Sequence, residues 1–178
     1  MGEMTAVRDA YGAALKELGE QDLRIVGLEA DVASSTKGGI FGNAFPERYF
    51  NVGISELNMV SMAAGLARTG FIPFVNTFAV FLTARGADPI QSLIAYDKLN
   101  VKLCGAYCGL SDSYDGASHQ AITDMAFVRS IAKHDGHFHG RRAGDKKGCV
   151  CHCRASGAGL PASEPRSGPC ILRGRYEV

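Results

Sequence analysis

Two kinds of segment alternate along the first 130 residues of the chain. Residues 5–18 place Val7 and Tyr11 on one helical face and keep Arg8 off it, which predicts a helix with one buried stripe. The next apolar run, residues 23–28 (LRIVGL), is short and contains β-branched residues. Such a run is typical of a strand that is buried on both faces.

The same alternation continues to residue 131. Further strands are predicted at residues 48–53, 71–78 and 100–107, and further helices at residues 55–70, 79–99 and 121–131. We expect Pro89 to interrupt the longest helix, and Pro73 fits a strand only near its start or at a sheet edge. Strict alternation predicts an α/β fold, with a doubly wound parallel sheet and helices on both faces. Ligands of such sheets bind at the carboxyl ends of the strands.

The sequence changes character after Ile131. Residues 132–170 have almost no apolar periodicity and are crowded with Gly, Arg, His and Cys. We therefore expect this segment to add neither a strand nor a helix to the sheet. The predicted organisation is a domain at residues 1–131, an atypical segment at 132–170 and an ordinary end of the domain at 171–178.

Composition and charge argue against several classes of partner. Nineteen basic residues nearly balance 18 acidic ones, and the net charge of +1 gives no electrostatic case for nucleic acid or a membrane surface. The charged start does not resemble a secretory signal, and the apolar stretch at residues 70–84 is too short to span a membrane. We therefore expect a cytoplasmic protein. Four of the six cysteines follow residue 148, which indicates a local peculiarity and not a disulfide framework.

The most informative local pattern is NVGISELNMVSMAAGLA, which leads from a strand into a helix. Ser55 can cap that helix, and Glu56 lies in its first turn, where a carboxylate could simply complement the helix dipole. The helix carries several small residues that let neighbouring backbone pack closely: Ala63, Ala64, Gly65 and Ala67. Close packing would desolvate the Glu56 carboxylate, which favours a functional role.

GISE before an apolar, Ala-rich helix resembles the segment of the transketolase family that carries the cofactor-activating glutamate. The resemblance implies that Glu56 hydrogen-bonds N1′ of the aminopyrimidine ring of thiamine diphosphate and so activates the cofactor. NTFAVFLTARG resembles the family's TF-x-x-F segment, which implies that Phe78 and Phe81 hold the ring, with Phe81 stacked on it. From the residues alone, two phenylalanines on one helical face are ordinary core residues. Leu57 departs from the Gln or His that often follows the glutamate.

GLSDSYDGASHQ has the composition of a loop and resembles the family's DG-x-[ST]-HQ loop. The resemblance implies that Asp115 and His119 bind sugar hydroxyls and assist proton movements. From the residues alone they are a turn aspartate and a histidine at a helix start. Tyr114 replaces the usual Glu, and Tyr107 stands where a second histidine is common. These two differences leave the donor sugar open.

Three further segments match the family more weakly. EADVASS resembles an AD-x-x-x-S stretch, which implies that Ser35 binds the substrate phosphate and that Asp31 lies at the cofactor. AVRDA and LRGR place Arg8 and Arg175 where the family has phosphate-binding arginines, and a guanidinium suits phosphate geometry. An arginine on an amphipathic helix can equally be a solvated surface residue. Together the matches run in the family's order from Arg8 to Ile131.

The sequence contains no Gly-Asp-Gly motif, which in the family binds the diphosphate and Mg²⁺. The resemblance therefore implies half of a cofactor site, as in the carboxyl-terminal subunit of a split transketolase that is cut short before its final domain. Thiamine diphosphate and Mg²⁺ would be shared with a diphosphate-binding subunit that supplies most of the metal ligands, in a dimer or heterotetramer. The reaction implied is transfer of a two-carbon ketol unit between sugar phosphates.

Several alternatives to this interpretation stay open. A 1-deoxyxylulose-5-phosphate synthase-like component or a 2-oxo acid dehydrogenase β-chain-like component would share the same pyrimidine module. The chain could also be a non-catalytic fragment, either a defective product or a metal-binding adaptor. CVCHC with His134, His137 and His139 could bind zinc, although the spacing matches no finger pattern.

A shifted reading frame is the favoured explanation of residues 132–170. Codons for residues 132–140 (AKHDGHFHG) can be chosen so that a one-base shift reads PNMTVISMA, and the family has a segment beginning near PNMTV here. A compensating shift near the end would restore RGRYEV. We expect a disordered segment on this hypothesis.

Overall fold

The computed structural model describes residues 6–112 and 114–131, together with the backbone of two later strands. The strands are β1 (Ile25–Glu29), β2 (Tyr49–Asn51), β3 (Ile72–Phe78), β4 (Lys102–Ala106), β5 (His134–His137) and β6 (Cys170–Gly174). The helices are α1 (Val7–Gln21), α2 (Ala33–Thr36), α3 (Gly39–Ala44), α4 (Glu56–Arg68), α5 (Ala79–Arg85), α6 (Ala87–Pro89) and α7 (Asp124–Ser130). A 3₁₀ turn at Pro46–Arg48 and a π-helical turn at Ile90–Ala95 complete the described elements.

The strands form one sheet in the order β2-β1-β3-β4-β6-β5. β1, β2, β3 and β4 are mutually parallel, so their carboxyl ends lie at one edge. The chain moves from β1 to β2 on one side and then returns to β3 on the other side of β1. The carboxyl ends of β1 and β3 therefore flank a topological switch point, which is where ligand clefts form in open α/β sheets.

Alternate residues of the central strands point into two separate cores. On one face Ile25, Ile72, Phe74 and Cys104 pack with Tyr11, Leu15 and Phe41 from α1 and α3. On the other face Val26, Leu28, Val75 and Leu103 pack with Met59, Val60, Leu82, Ile94 and Val128 from the later helices. Every residue of β1 and β3 is buried, as expected for strands that are covered on both sides. The predicted doubly wound sheet with helices on both faces is confirmed.

A close approach between α5 and β4 fixes the segment that carries two of the predicted site residues. A Cβ atom on Gly105 would lie 2.9 Å from Cα of Ala79, so only glycine lets the start of α5 rest directly on β4. Phe78 is the last residue of β3 and directly precedes α5. The strand, the helix and this contact together position Phe78 and Phe81.

β5 and β6 correct the prediction that residues 132–170 add no strand to the sheet. β6 pairs antiparallel with β4, and β5 pairs antiparallel with β6. The prediction is wrong for these residues because edge pairing uses backbone groups that nearly every residue carries, whatever its apolar periodicity. Residues 138–169, with the CVCHC cluster, lie outside the described residues. The shifted-frame hypothesis and the boundary at residue 131 therefore stay predictions.

The helices differ from expectation in smaller ways. The helix predicted at residues 79–99 is divided into three short segments, the second of which ends at Pro89. Ser55 does not cap α4 with its side chain, because its Oγ donates to the carbonyl oxygen of Val52 at 2.9 Å. α2 and α3 were not predicted, since helices of four and six residues are too short to show a stripe. Within the described part of the chain, no helix has the length and apolar character of a membrane span.

Candidate functional site

Glu56 begins α4 at the switch-point edge of the sheet, and only 3% of the residue is exposed. Gly53 precedes it with φ +73°, which permits the tight turn between β2 and α4. The amino end of a helix favours a carboxylate electrostatically. A buried carboxylate also needs a close partner, because burial removes its hydration.

Arg85, the last residue of α5, is that partner. Its Nη1 donates to both carboxylate oxygens of Glu56, at 2.9 and 3.0 Å. The Arg85 side chain is 48% exposed, so the ion pair joins a buried anion to a cation that reaches solvent. The guanidinium carbon also lies 4.2 Å from the ring centroid of Phe81. One planar cation therefore contacts both the carboxylate and an aromatic face.

Four rings meet beside this ion pair. Phe78 and Phe81 are close to parallel, with centroids 5.9 Å apart and planes inclined by 24°. His119 contacts both rings by its edge, with centroid distances of 5.6 and 5.0 Å. Tyr107 packs edge-on against Phe78 at 5.0 Å. The result is an apolar wall with an imidazole set into it, next to a buried acid.

Tyr107 connects the ring cluster to α1. It directly follows β4 and has φ +57°, a left-handed conformation that is uncommon for a tyrosine. Its hydroxyl oxygen accepts a hydrogen bond from Nη1 of Arg8 at 2.6 Å. Arg8 is exposed on α1. The connected groups therefore run from a buried carboxylate to an exposed guanidinium, which suits a ligand with an apolar ring at one end of the site and an anion at the other.

A comparison with protein-family models decides which family this site belongs to. The family described as "Transketolase, pyrimidine binding domain" matches residues 3–151, more than half of the chain. The chain belongs to this transketolase family. Transketolases are transferases that use thiamine diphosphate, whose aminopyrimidine ring is the part that this domain is named for.

Individual relatives agree with the family match. The chain is 45% identical over 130 residues to a protein of Methanocaldococcus jannaschii named as a transketolase C-terminal section, covering 73% of this chain and 41% of the relative. It is 42% identical over 132 residues to transketolase of Homo sapiens, covering 74% of this chain and 21% of the relative. A solved structure described as a split-gene transketolase, an inactive β4 tetramer, is similar with 47% identity and a TM-score of 0.62. That match covers 75% of this chain and 42% of the solved one, so the chain spans less than half of each of these transketolases.

The structure brings some of the predicted site residues together. Glu56, Phe78, Phe81 and His119 form one group, and Arg8 joins it through Tyr107. The assignment of catalytic and binding roles to these side chains stays a prediction.

Three other predicted residues make no hydrogen bond or ring contact with this group within the described part of the chain. Asp31, with φ +60°, exchanges hydrogen bonds with the Asn51 side chain at 3.1 and 3.0 Å. Ser35 is half-buried in α2. Asp115 is exposed, and its backbone N–H donates to Oδ1 of Asp112 at 3.2 Å. Arg175 lies outside the described residues.

The described side chains fit one part of thiamine diphosphate, the aminopyrimidine ring. A buried carboxylate and an aromatic face that both contact one planar guanidinium suit an aminopyrimidine, which is flat and offers nitrogen atoms at its edge. No group of three or more His, Cys, Asp or Glu side chains that could hold a metal ion occurs at residues 6–112 and 114–131. The site as described therefore suits the ring.

A second buried carboxyl group, that of Glu29, was not predicted. It ends β1 and is fully buried, and burial raises its pKa to about 8 despite a hydrogen bond from Thr36. Thr36 Oγ1 lies 3.0 Å from each carboxyl oxygen. The nearby Tyr49 hydroxyl has its pKa raised by burial and by the charge of Glu29. Glu29 forms no ion pair among the described residues.

Arg85 and Tyr107 were also missing from the predicted site. Arg85 follows Phe81 by four residues, so helical spacing places the two on one face, and this spacing could have indicated the contact. Tyr107 was noted only as a departure from the family pattern. Its contacts with Phe78 and Arg8 depend on how β4 and α1 pack, which no local pattern reveals.

Proposed function

We propose that this chain is the pyrimidine-binding half of a thiamine diphosphate-dependent transketolase that transfers a two-carbon ketol unit between sugar phosphates. The observation that carries the proposal is the contact of one planar group, the Arg85 guanidinium, with both Glu56 and Phe81. The same two side chains can hold a flat aminopyrimidine ring between them. The family match and the named relatives support the same assignment.

The Glu56 carboxyl group is the proton-handling group of the proposed site. Its burial keeps water away, and a carboxyl group shares a proton most effectively with a ring nitrogen when water does not compete. Phe81 supplies a face on which the ring is oriented, and Phe78 supports that face from the side. When bound, thiamine diphosphate supplies an electron sink for breaking a carbon–carbon bond.

The sugar end of the site is assigned to polar residues around the ring cluster. His119 lies at the edges of both phenylalanine rings and within 2.9 Å of the Ser118 hydroxyl, measured from Nδ1, so it can exchange a proton or a hydrogen bond with a sugar hydroxyl. Asp115, on the same loop, is proposed to bind a second hydroxyl. Arg8, with Ser35 and Arg175, is proposed to bind the substrate phosphate.

We further propose that a separate diphosphate-binding subunit completes the site and provides the ligands for Mg²⁺. Residues 6–112 and 114–131 contain no cluster of three or more potential His, Cys, Asp or Glu ligands, and the chain spans less than half of the named relatives. The similar solved structure is described as an inactive tetramer of β chains of a split-gene transketolase. A chain of this kind on its own is therefore expected to be inactive.

Reconstitution with a partner chain tests the proposed function. The full chain is co-purified with a candidate diphosphate-binding subunit, and ketol transfer from a ketose phosphate to an aldose phosphate is measured with thiamine diphosphate and Mg²⁺. We expect activity in the complex only, and none with Glu56→Ala in an otherwise folded complex. A stable complex that remains inactive, or full activity of Glu56→Ala, contradicts the proposal.

A second candidate is a related enzyme that acts on pyruvate or another 2-oxo acid. The observation that favours it is Tyr107, which occupies the position of a common family histidine and already holds Arg8. A donor screen separates the two, because pyruvate turnover without ketose turnover reverses the order. If neither donor reacts in any assembled complex, the chain is a non-catalytic fragment.

A further inference from the structure

Arg85 contacts the two groups that the proposed function assigns to the aminopyrimidine ring. Its Nη1 donates to both oxygens of the Glu56 carboxylate, at 2.9 and 3.0 Å. Its guanidinium carbon lies over the Phe81 ring, 4.2 Å from the centroid. A flat N–H donor therefore stacks on the phenylalanine and is bonded to the acid, which are the two contacts the ring would make.

A guanidinium and an aminopyrimidine resemble each other in the features that such a site recognises. Both are planar, both present nitrogen atoms at their edge to a carboxylate, and both stack on an aromatic face. Glu56 is almost completely buried, so two groups cannot approach its oxygens and the same face of Phe81 together. Arg85 and the ring would compete for one place.

We propose that Arg85 is a latch, which closes the aminopyrimidine site in the free chain and swings out when the ring binds. This inference rests on the proposed function, since it concerns the same site. Arg85 is the last residue of α5, and 48% of its side chain is exposed, so water lies next to the guanidinium. The flexible aliphatic stem can therefore carry the charge outwards without disturbing the buried core.

The latch would stabilise the free chain, which holds half of a site. Without Arg85, the free chain would expose its phenylalanine face and leave a buried carboxylate without a cation. With Arg85 in place, the charge is neutralised until a better-fitting group arrives. The half-exposed ion pair and the ring contact are individually weak, so displacement lowers the apparent affinity by about ten-fold.

The affinity of the full-length chain for 4-amino-2,5-dimethylpyrimidine, the pyrimidine portion alone, tests the latch. Binding is measured by ligand-observed NMR titration for the wild type and for Arg85→Met, which keeps a long apolar stem and removes the charge. Arg68→Met is the matched control, because Arg68 also forms an ion pair with an acid 29 residues away, Asp97. Glu56→Ala in both backgrounds shows whether the probe occupies the proposed site.

We expect Arg85→Met to bind the probe about ten-fold more tightly than the wild type, with Arg68→Met unchanged. Equal or weaker binding by Arg85→Met, with binding still abolished by Glu56→Ala, overturns the latch and leaves the proposed function standing. If saturable binding is unchanged by Glu56→Ala, or if no variant binds the probe, the chain has no aminopyrimidine site at Glu56. The proposed function and the latch are then both contradicted.

Arg85→Lys distinguishes an effect on ring binding from an effect on folding. Lysine keeps the charge that pairs with Glu56 and loses the flat face that stacks on Phe81. Its affinity for the probe should fall between those of the wild type and Arg85→Met. Each variant is compared with the wild type by thermal melting. If Arg85→Met does not fold, wild-type affinity in a folded Arg85→Lys chain overturns the latch.

Discussion

Glu29 and Glu56 are two buried glutamates at the same edge of the sheet, and their surroundings differ in one respect. Each is at most 3% exposed. Glu56 has an ion pair with Arg85, whose guanidinium reaches solvent. Glu29 has the Thr36 hydroxyl, and no cation faces it among the described residues. Two glutamates that are buried to nearly the same degree therefore have partners of different kinds.

The difference separates a structural carboxyl group from one that is suited to chemistry. Burial raises the pKa of Glu29 to about 8, so at neutral pH it is mostly protonated and serves as a hydrogen-bonding group inside the fold. Glu56 is paired with a half-exposed arginine, and that arginine also lies over the Phe81 ring. A group that must hold a proton at a ligand needs this second environment, because its contacts can be replaced without unfolding the chain.

The largest expected effect is on turnover in the assembled complex. Replacing the carboxyl group in Glu56→Gln should lower kcat by about 10²- to 10⁴-fold, as expected for loss of a general acid–base group. Glu29→Gln keeps a similar shape and hydrogen-bonding capacity, and should stay within about three-fold of the wild type because a neutral group replaces a mostly neutral one. Steady-state ketol transfer measures both. The distinction between a structural Glu29 and a catalytic Glu56 is wrong if a folded Glu29→Gln complex is as inactive as Glu56→Gln.

The next effect is on the pH dependence of stability. The pKa of Glu29 is raised from 4.5 to about 8 in the folded chain. Between these values the folded chain keeps a proton that the unfolded chain has released, so the free energy of unfolding falls as pH rises. The stability that this proton provides is fully present below about pH 4.5 and lost by about pH 8 or above. The loss is expected to be on the order of a few kcal/mol.

Urea denaturation between pH 5 and pH 9 measures this dependence. Glu29→Gln cannot ionise, so its unfolding free energy should decline less than that of the wild type over the same range. Parallel curves for the wild type and Glu29→Gln would show that Glu29 titrates normally in the folded chain.

Particular residues show how far the sequence could predict this molecule. Short apolar runs in the sequence predict β1 and β3. A run without polar alternation indicates a strand with both faces buried, and helices then cover both faces of the sheet. Local pattern was sufficient for these strands. Glu56 and Phe81 were singled out by resemblance to transketolase motifs that are each continuous in the sequence, and the structure brings both into contact with Arg85. Their roles stay predictions.

Arg85 and Glu29 show what local pattern leaves out. The ion pair joins residues 29 positions apart, and it exists only because α4 and α5 pack side by side. Glu29 directly follows the predicted strand, and nothing in LRIVGLE distinguishes a protonated buried glutamate from an exposed one. The pairing of β5 and β6 at the sheet edge was missed for a related reason, because backbone hydrogen bonds leave no trace in side-chain periodicity.

A smaller effect is expected from the hydroxyl that faces Glu29. Thr36 Oγ1 donates to the Glu29 carboxyl group and accepts a hydrogen bond from the Gly38 N–H at 3.1 Å. Thr36→Val keeps the shape and removes both of these hydrogen bonds, which should cost about 1–2 kcal/mol of unfolding free energy at pH 7. Thr36→Ser should recover most of it. If Thr36→Val is as stable as the wild type in urea denaturation, the hydroxyl does not support Glu29.

The smallest effect is expected for the cation that faces Glu56. Arg85→Met leaves the carboxylate buried without its ion pair, but the arginine is 48% exposed, so solvent has already weakened the attraction. The free energy of unfolding should fall by about 1 kcal/mol or less at pH 7. Arg68→Met, which breaks the exposed pair with Asp97, should change it by less than about 0.5 kcal/mol.

A double-mutant cycle isolates the Arg85–Glu56 term. If the loss in Arg85→Met comes from the stranded carboxylate, Glu56→Gln should remove most of it, and the double variant should be nearly as stable as Glu56→Gln alone. A loss of the same size in both backgrounds would assign it to packing of the arginine stem on Phe81. In that case the partner that distinguishes Glu56 from Glu29 would contribute nothing to stability through its charge.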